Sequence, residues 1–75
     1  MSKRYVCEEQ IHAAMQTIID NADNKALNYA VNYAKQGLFM TGDELRVQCL
    51  YVLNNMTHWY GDVAKEVRSV LKGYW

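Results

Sequence analysis

Residues 40–60, with the sequence MTGDELRVQCLYVLNNMTHWY, decide the predicted fold of this chain. Thr41 can cap the start of a helix by accepting a hydrogen bond from the amide of Glu44, while the Glu44 side chain accepts one from the amide of Thr41. Met40 and Leu45 flank this capping box as a hydrophobic staple. The pattern predicts a helix that begins at Gly42.

The apolar residues of the same stretch continue the helical pattern to its end. They recur at spacings of four, three, four and three, which places them on one face: Leu45, Cys49, Val52, Met56 and Trp59. Three more apolar residues widen that face: Leu50, Leu53 and Tyr60. We therefore predict a central helix from Gly42 to Tyr60, with shorter helices packed around it.

The opposite face of this helix carries no charge, because the sequence has no Lys, Arg, Asp or Glu between Arg46 and Asp62. Its predicted members are Val47, Gln48, Tyr51, Asn54, Asn55 and His58. A solvated face normally holds charged side chains. Two interpretations are compatible with this pattern. Either other helices of the bundle cover most of this helix, or its Tyr51, Asn55 and His58 side binds another subunit, a protein partner or a ligand.

Three further helices are predicted, two before the central helix and one after it. The first runs from Val6 to Asn21, after a loose N-terminal arm at residues 1–5. The run DNADNK at residues 20–25 predicts a turn, because Asn and Asp favour turns and caps over helix interiors. A bend within one continuous helix is the alternative, since neither Gly nor Pro enforces a break. The second helix spans Asn24 to Gln36.

Gly37 is expected to end the second helix as a residue in the left-handed conformation. Leu38 and Phe39 then fold back as a hydrophobic plug. The fourth helix follows Gly61, with an apolar face that comprises Val63, Val67, Val70, Leu71 and Tyr74. The Trp75 side chain is either disordered or packed on a neighbouring element. The fold class is therefore all-α: a small bundle of four helices, or three if the first two are continuous.

The second helix contains a short repeat, Asn28-Tyr29-Ala30 followed by Asn32-Tyr33-Ala34. A four-residue period stacks like residues along one side of a helix. The tyrosines either pack at the edge of the bundle with their hydroxyls in water, or form a binding face together with Asn28 and Asn32.

Composition limits the classes of function. The 75 residues predict one helical domain, 1–75, whose core is marginal unless the chain oligomerises. Eight basic and eight acidic side chains give zero net charge, which provides no electrostatic footprint for nucleic acid or an anionic membrane. Cys7 and Cys49 fall at apolar helical positions, which predicts free buried thiols. No signal sequence or membrane span is evident, and we expect a cytoplasmic protein.

No residue pattern predicts catalysis or a metal site. Ser69 has no base near it, and Cys49 and His58 are expected on opposite faces of one helix. His12 is predicted to be solvated, and Cys7 and His12 lack the spacing of a metal pair. We expect no enzyme activity, no metal and no cofactor.

The segment DVAKEVRSVLK, residues 62–72, is similar to the first half of a helix-turn-helix, but no recognition helix follows it. Lys65, Arg68 and Lys72 are therefore weak candidates for nucleic-acid contact. In style, the proline-free sequence resembles small accessory proteins of phages and mobile elements, but no motif assigns it to a named family.

The leading functional hypothesis is a non-enzymatic protein that works by protein–protein interaction, as a homo-oligomer or as an adaptor or inhibitor of a larger partner. The alternatives are a nucleotide or other small molecule bound by the Asn/Tyr faces, and weak DNA or RNA binding. The candidate interface or ligand residues are Asn28, Tyr29, Asn32, Tyr33, Val47, Tyr51, Asn55 and His58.

Overall fold

The computed structural model describes residues 7–74. It contains α1 (Glu8–Asp20), a short 3-10 helix (Lys25–Leu27), α2 (Asn28–Gly37), α3 (Gly42–Asn54) and α4 (Asp62–Tyr74). Each helix packs against the next, and α4 returns to pack against α1. The prediction of an all-α bundle of four helices is confirmed. The predicted arm at residues 1–5 and the two alternatives for Trp75, disordered or packed on a neighbour, lie outside the described residues.

Asparagines separate α1 from α2, so the three-helix alternative is wrong. Asn21 leaves the helical conformation, and its Nδ2 donates to the Thr17 carbonyl at 2.7 Å. Asn24 then starts the 3-10 helix, with its side-chain oxygen accepting from the Ala26 amide at 2.9 Å. These side chains bind backbone groups that a continuous helix would pair internally. The predicted turn at residues 20–25 is thus present.

The predicted central helix is too long, because α3 ends at Asn54 and not at Tyr60. Asn55 ends it by donating from Nδ2 to the Tyr51 carbonyl at 2.8 Å. Residues 55–61 then form an irregular segment in which Met56 and Trp59 are still buried. The apolar pattern therefore predicts correctly that Met56 and Trp59 are buried, but wrongly that they lie in a helix. The four helices are also of similar length, so α3 is not a long helix with shorter ones around it.

The start of α3 is confirmed, but its stabilising contact is different from the predicted one. Thr41 is the N-cap with extended backbone, yet its side chain makes no capping hydrogen bond. Instead the Gly42 amide donates to Glu8 Oε2 at 2.6 Å. Gly42 has φ of +60°, a conformation that glycine adopts without steric penalty. The Tyr74 hydroxyl donates to the same Glu8 oxygen at 2.9 Å, so one carboxylate links α1, α3 and α4.

Two residues set how closely α2 packs on its neighbours. Gly37 is the last residue of α2 and does not have positive φ, so its predicted role as a left-handed cap is wrong. A Cβ there would lie 2.3 Å from Met15 Sδ, so α1 and α2 approach closely here and a larger residue would displace the Met15 thioether. Gln48 was predicted on the outer face of α3. It is buried instead, and its Nε2 donates to the Tyr33 carbonyl at 2.8 Å.

Several apolar residues lie at the surface against prediction. Phe39 does not form a plug: it is 90% exposed in the turn between α2 and α3, while Leu38 packs partly on the core. Tyr60 is 76% exposed and Val63 49% exposed, so neither belongs to the buried face. Among the helices within residues 7–74, none has the length and hydropathy to cross a membrane.

Candidate functional site

The Asn-Tyr repeat of α2 meets the outer side of α3 at one aromatic contact. The rings of Tyr33 and Tyr51 lie with their centroids 5.8 Å apart and their planes inclined by 33°. This distance lies within the range of favourable aromatic pairs. Tyr29 precedes Tyr33 by four residues on α2, and Val47 precedes Tyr51 by four residues on α3. Each therefore extends the surface by one helical turn. We call this surface the tyrosine face; it comprises Asn28, Tyr29, Asn32, Tyr33, Val47 and Tyr51.

Most of the tyrosine face is open to solvent. Tyr29 is 72% exposed, Tyr51 47% and Val47 36%, while Tyr33 is half-buried because it lies against Tyr51 and the core. Both asparagines are exposed. Of the eight predicted interface or ligand candidates, Tyr33 and Tyr51 are thus in contact, and four others lie on the same two helices at exposed positions.

The tyrosine face contains no ionisable group other than the tyrosine hydroxyls. The α2 segment between Lys25 and Lys35 and the α3 segment after Arg46 carry no Lys, Arg, Asp or Glu. By contrast, the exposed positions of α4 include Asp62, Lys65 and Glu66. Exposed aromatic rings on helix faces without charge therefore occur on the α2–α3 side.

The other two candidates, Asn55 and His58, do not extend the α3 face, because the helix ends before them. Asn55 is half-buried, and its amide group caps the Tyr51 carbonyl. His58 is exposed in the irregular segment at residues 55–61. The predicted Tyr51, Asn55 and His58 stripe is thus not a helix face.

The three basic residues of α4 have different surroundings. Arg68 is half-buried, and its Nη2 donates to the Met56 carbonyl at 2.9 Å and to the Trp59 carbonyl. Arg68 therefore holds the irregular segment against α4. Lys65 and Lys72 are exposed. The basic edge predicted for nucleic-acid contact thus has one member that performs a structural task.

The cysteines and histidines do not form a reactive cluster. Burial raises the pKa of the Cys49 thiol to about 11, so it is protonated at neutral pH. Cys7 is free and exposed, which corrects the prediction of two buried thiols. His12 is half-buried, not solvated, and its Nε2 donates to the Met40 carbonyl at 2.9 Å. Among residues 7–74, no group of three His, Cys, Asp or Glu side chains is arranged to hold a metal ion.

Sequence reasoning missed two exposed aromatic side chains that are available for contact. Phe39 lies in a turn held by backbone bonds from Phe39 N to Gln36 O at 3.1 Å and from Met40 N to Gly37 O at 3.1 Å. Tyr60 lies at the end of the irregular segment. The sequence did contain a signal for Phe39, because Gly37 and the capping residue Thr41 bracket it within a tight turn.

Comparison with known proteins assigns no relative: no family model, curated protein or solved structure matches this chain.

Proposed function

We propose that this chain is a non-enzymatic protein that acts by binding another protein through the tyrosine face. The partner is a second copy of the chain or a larger protein that it adapts or inhibits. The observation that carries the proposal is the Tyr33–Tyr51 ring contact, which joins two uncharged helix faces into one surface.

The chemistry of this surface suits the centre of a protein interface. Interface cores are enriched in aromatic residues and depleted in charged ones, and tyrosine is frequent among the residues that contribute most binding energy. A tyrosine ring contributes apolar area while its hydroxyl still finds a hydrogen-bond partner. Asn28 and Asn32 supply both donors and acceptors beside the rings. The surface is therefore able to exclude water without burying a charge.

The geometry favours this function over the two alternatives. A small-molecule site is normally concave, but the tyrosine face lies on the outer sides of two helices. A groove between α1 and α4 and a groove between α3 and α4 are both lined by other residues. Nucleic-acid binding through α4 would rest on three basic residues in a chain of zero net charge, whereas a nucleic-acid footprint normally requires a basic surface. Two free thiols are consistent with the cytoplasmic location that is part of the proposal.

The test introduces charge into the tyrosine face. The variant Tyr29→Glu/Tyr51→Glu adds two carboxylates at exposed positions. The matched control Ala22→Glu/Ser69→Glu adds the same charge at exposed positions in the α1–α2 turn and on α4. Exposed substitutions change stability by about 0.5 kcal/mol, and Tyr51→Glu also removes a ring contact that contributes about 0.5–1.5 kcal/mol. Circular dichroism should therefore show intact helices in both variants, with the tyrosine variant somewhat less stable.

Two measurements then read out binding. Light scattering after size-exclusion chromatography gives the mass of the untagged protein. A photo-crosslinking amino acid at position 51, with position 69 as control, captures a partner in the native cell. We expect the wild type and the control variant to form the same dimer or complex, and the tyrosine variant to lose it. If the tyrosine variant keeps both its mass and its crosslinked product, the proposal is wrong. A monomer without a position-specific crosslink would also refute it.

A further inference from the structure

A second surface lies on the other side of α3, in the groove between α3 and α4. Its volume is about 460 Å³, and we call it the α3–α4 groove. The residues that line it are Leu50, Leu53, Asn54, Thr57, Arg68 and Lys72. None of them belongs to the tyrosine face, so a role for this groove does not depend on the function proposed for that face.

The Arg68 guanidinium is held in a fixed position in this groove. The carbonyls of Met56 and Trp59 both accept from its Nη2. The remaining N–H groups, on Nε and Nη1, are not used by these two bonds. Among residues 7–74, no carboxylate forms an ion pair with Arg68. A half-buried cation whose orientation is already fixed loses little conformational entropy when it binds an anion.

Lys72 adds a second positive charge one helical turn further along α4. It is exposed, and it too has no ion pair with a carboxylate of the described residues. The opposite wall of the groove is formed by Leu50 and Leu53, which are half-buried. The α3–α4 groove thus combines two cations, an apolar wall and no acidic lining residue.

We propose that the α3–α4 groove binds an acidic peptide segment of a partner protein, with a carboxylate between Arg68 and Lys72 and an apolar side chain against Leu50 and Leu53. The carboxylate matches the guanidinium, because a remaining N–H group on Nε or Nη1 can donate a charge-assisted hydrogen bond to it. The apolar side chain removes leucine surface from water.

Charge and shape favour a peptide over nucleic acid. A nucleic-acid footprint requires several cations along the backbone and a basic surface, but this chain has zero net charge. A sugar-phosphate chain also offers no apolar side chain that could pack against Leu50 and Leu53. The single pair of cations beside an apolar wall is suited to one carboxylate and its neighbouring side chain.

Three peptides that differ in one side chain test the proposal: acetyl-Leu-Leu-Glu-amide, its Gln analogue and its Lys analogue. Each is titrated into the isotope-labelled full chain at low salt, and binding is followed through backbone amide shifts. We expect saturable shifts at the groove residues with the Glu peptide and affinity lower by about fivefold with the Gln peptide, as for an exposed charge pair. The Lys peptide should be weaker still.

Charge reversal on α4 identifies the contact. In Lys72→Glu, the affinity for the Glu peptide should fall by roughly fivefold to tenfold, and the order of the Glu and Lys peptides should reverse. Lys65→Glu is the matched control, because Lys65 is exposed on the same helix and does not line the groove. It should change the affinity by less than about twofold at moderate salt.

The proposal fails if the Glu peptide gives no saturable shift, if the Glu and Gln peptides bind equally, or if Lys65→Glu and Lys72→Glu have the same effect. A duplex oligonucleotide at the same concentration completes the set. If it shifts the same amides more strongly than the Glu peptide does, the groove recognises phosphate and the peptide assignment is overturned.

Discussion

The close approach of α1 and α2 at Gly37 makes a quantitative prediction about how α2 is positioned. An Ala Cβ at this position would lie 2.3 Å from Met15 Sδ and 2.7 Å from Met15 Cε. Both distances are far below van der Waals contact. The thioether must therefore move, but Met15 is 0% exposed and its neighbours must move with it. We predict that Gly37→Ala destabilises the protein.

Two opposing effects set the magnitude. Overpacking a filled core costs about 1–3 kcal/mol. Replacing glycine by alanine within a helix contributes up to about 1 kcal/mol in the other direction, and less at the last residue of α2, where Gly37 lies. The expected net loss in the free energy of unfolding is therefore about 1–2 kcal/mol. Because the thioether is flexible, the lower half of that range is favoured.

A double-mutant cycle with Met15→Ala checks the cause. Met15→Ala alone should cost about 2–5 kcal/mol, since it leaves a cavity in the core. In that background the added Cβ of Gly37→Ala meets no thioether, so the second substitution should be neutral or stabilising. Urea unfolding of the four proteins gives a predicted coupling of about 1–2 kcal/mol. If Gly37→Ala has the same effect in both backgrounds, or stabilises the wild type, the packing argument is refuted.

Two further predictions concern Cys49 and Arg68. The pKa of Cys49 is raised from 9.0 to about 11 by burial, so its contribution to stability is present below pH 9 and is lost as pH rises to about 11. Urea unfolding of the wild type and of Cys49→Ala at several pH values measures this effect. Between pH 9 and pH 11 the free energy of unfolding should fall more in the wild type, by on the order of 2 kcal/mol. Equal falls in the two proteins would contradict the prediction. Arg68→Ala should lower the free energy of unfolding by about 2 kcal/mol and accelerate amide exchange at residues 55–60, because it removes charged donors to two carbonyls. Lys65→Ala should change neither quantity appreciably. Equal effects from the two substitutions would contradict the conclusion that Arg68 holds residues 55–60 against α4.

The parts of the fold that depend on local chemistry were predictable from the sequence. Thr41 marks the start of α3 correctly, although Glu8 and not the Thr41 side chain binds the first helical amide. The break between α1 and α2 follows from asparagines that bind nearby backbone groups. The end of α3 has the same local signal, because Asn55 binds the Tyr51 carbonyl, but the apolar pattern that continues past Asn55 outweighed it. The contact that holds the segment after α3 is not local. Arg68 binds the carbonyls of Met56 and Trp59 from a different helix. Periodicity does not detect such a contact, because both of these residues are buried whether or not the chain is helical there.

The candidate site was predicted in part, and its limits have physical causes. The four-residue repeat placed Tyr29 and Tyr33 on one side of α2, and the contact of the Tyr33 ring with Tyr51 of α3 is a new observation. Gln48 was misplaced because an amide side chain counts as polar in a helical pattern. Here it is buried, with its nitrogen bound to the Tyr33 carbonyl. Phe39 was misplaced for the opposite reason: it is apolar but lies in a turn that directs Leu38 and Met40 towards the core and leaves Phe39 exposed.

The absence of charge on α3 after Arg46 has more than one structural cause. Part of the stretch is buried in the core, as Cys49 and Val52 show. The remainder serves two surfaces: Val47 and Tyr51 lie on the tyrosine face, and Leu50 and Leu53 line the α3–α4 groove. Asn54 lies between them and is exposed. A partner that covered the tyrosine face and extended over Asn54 would bring its edge to Arg68 and Lys72. The two proposals would then describe one interface, with an apolar centre on α2 and α3 and an acidic segment at the rim.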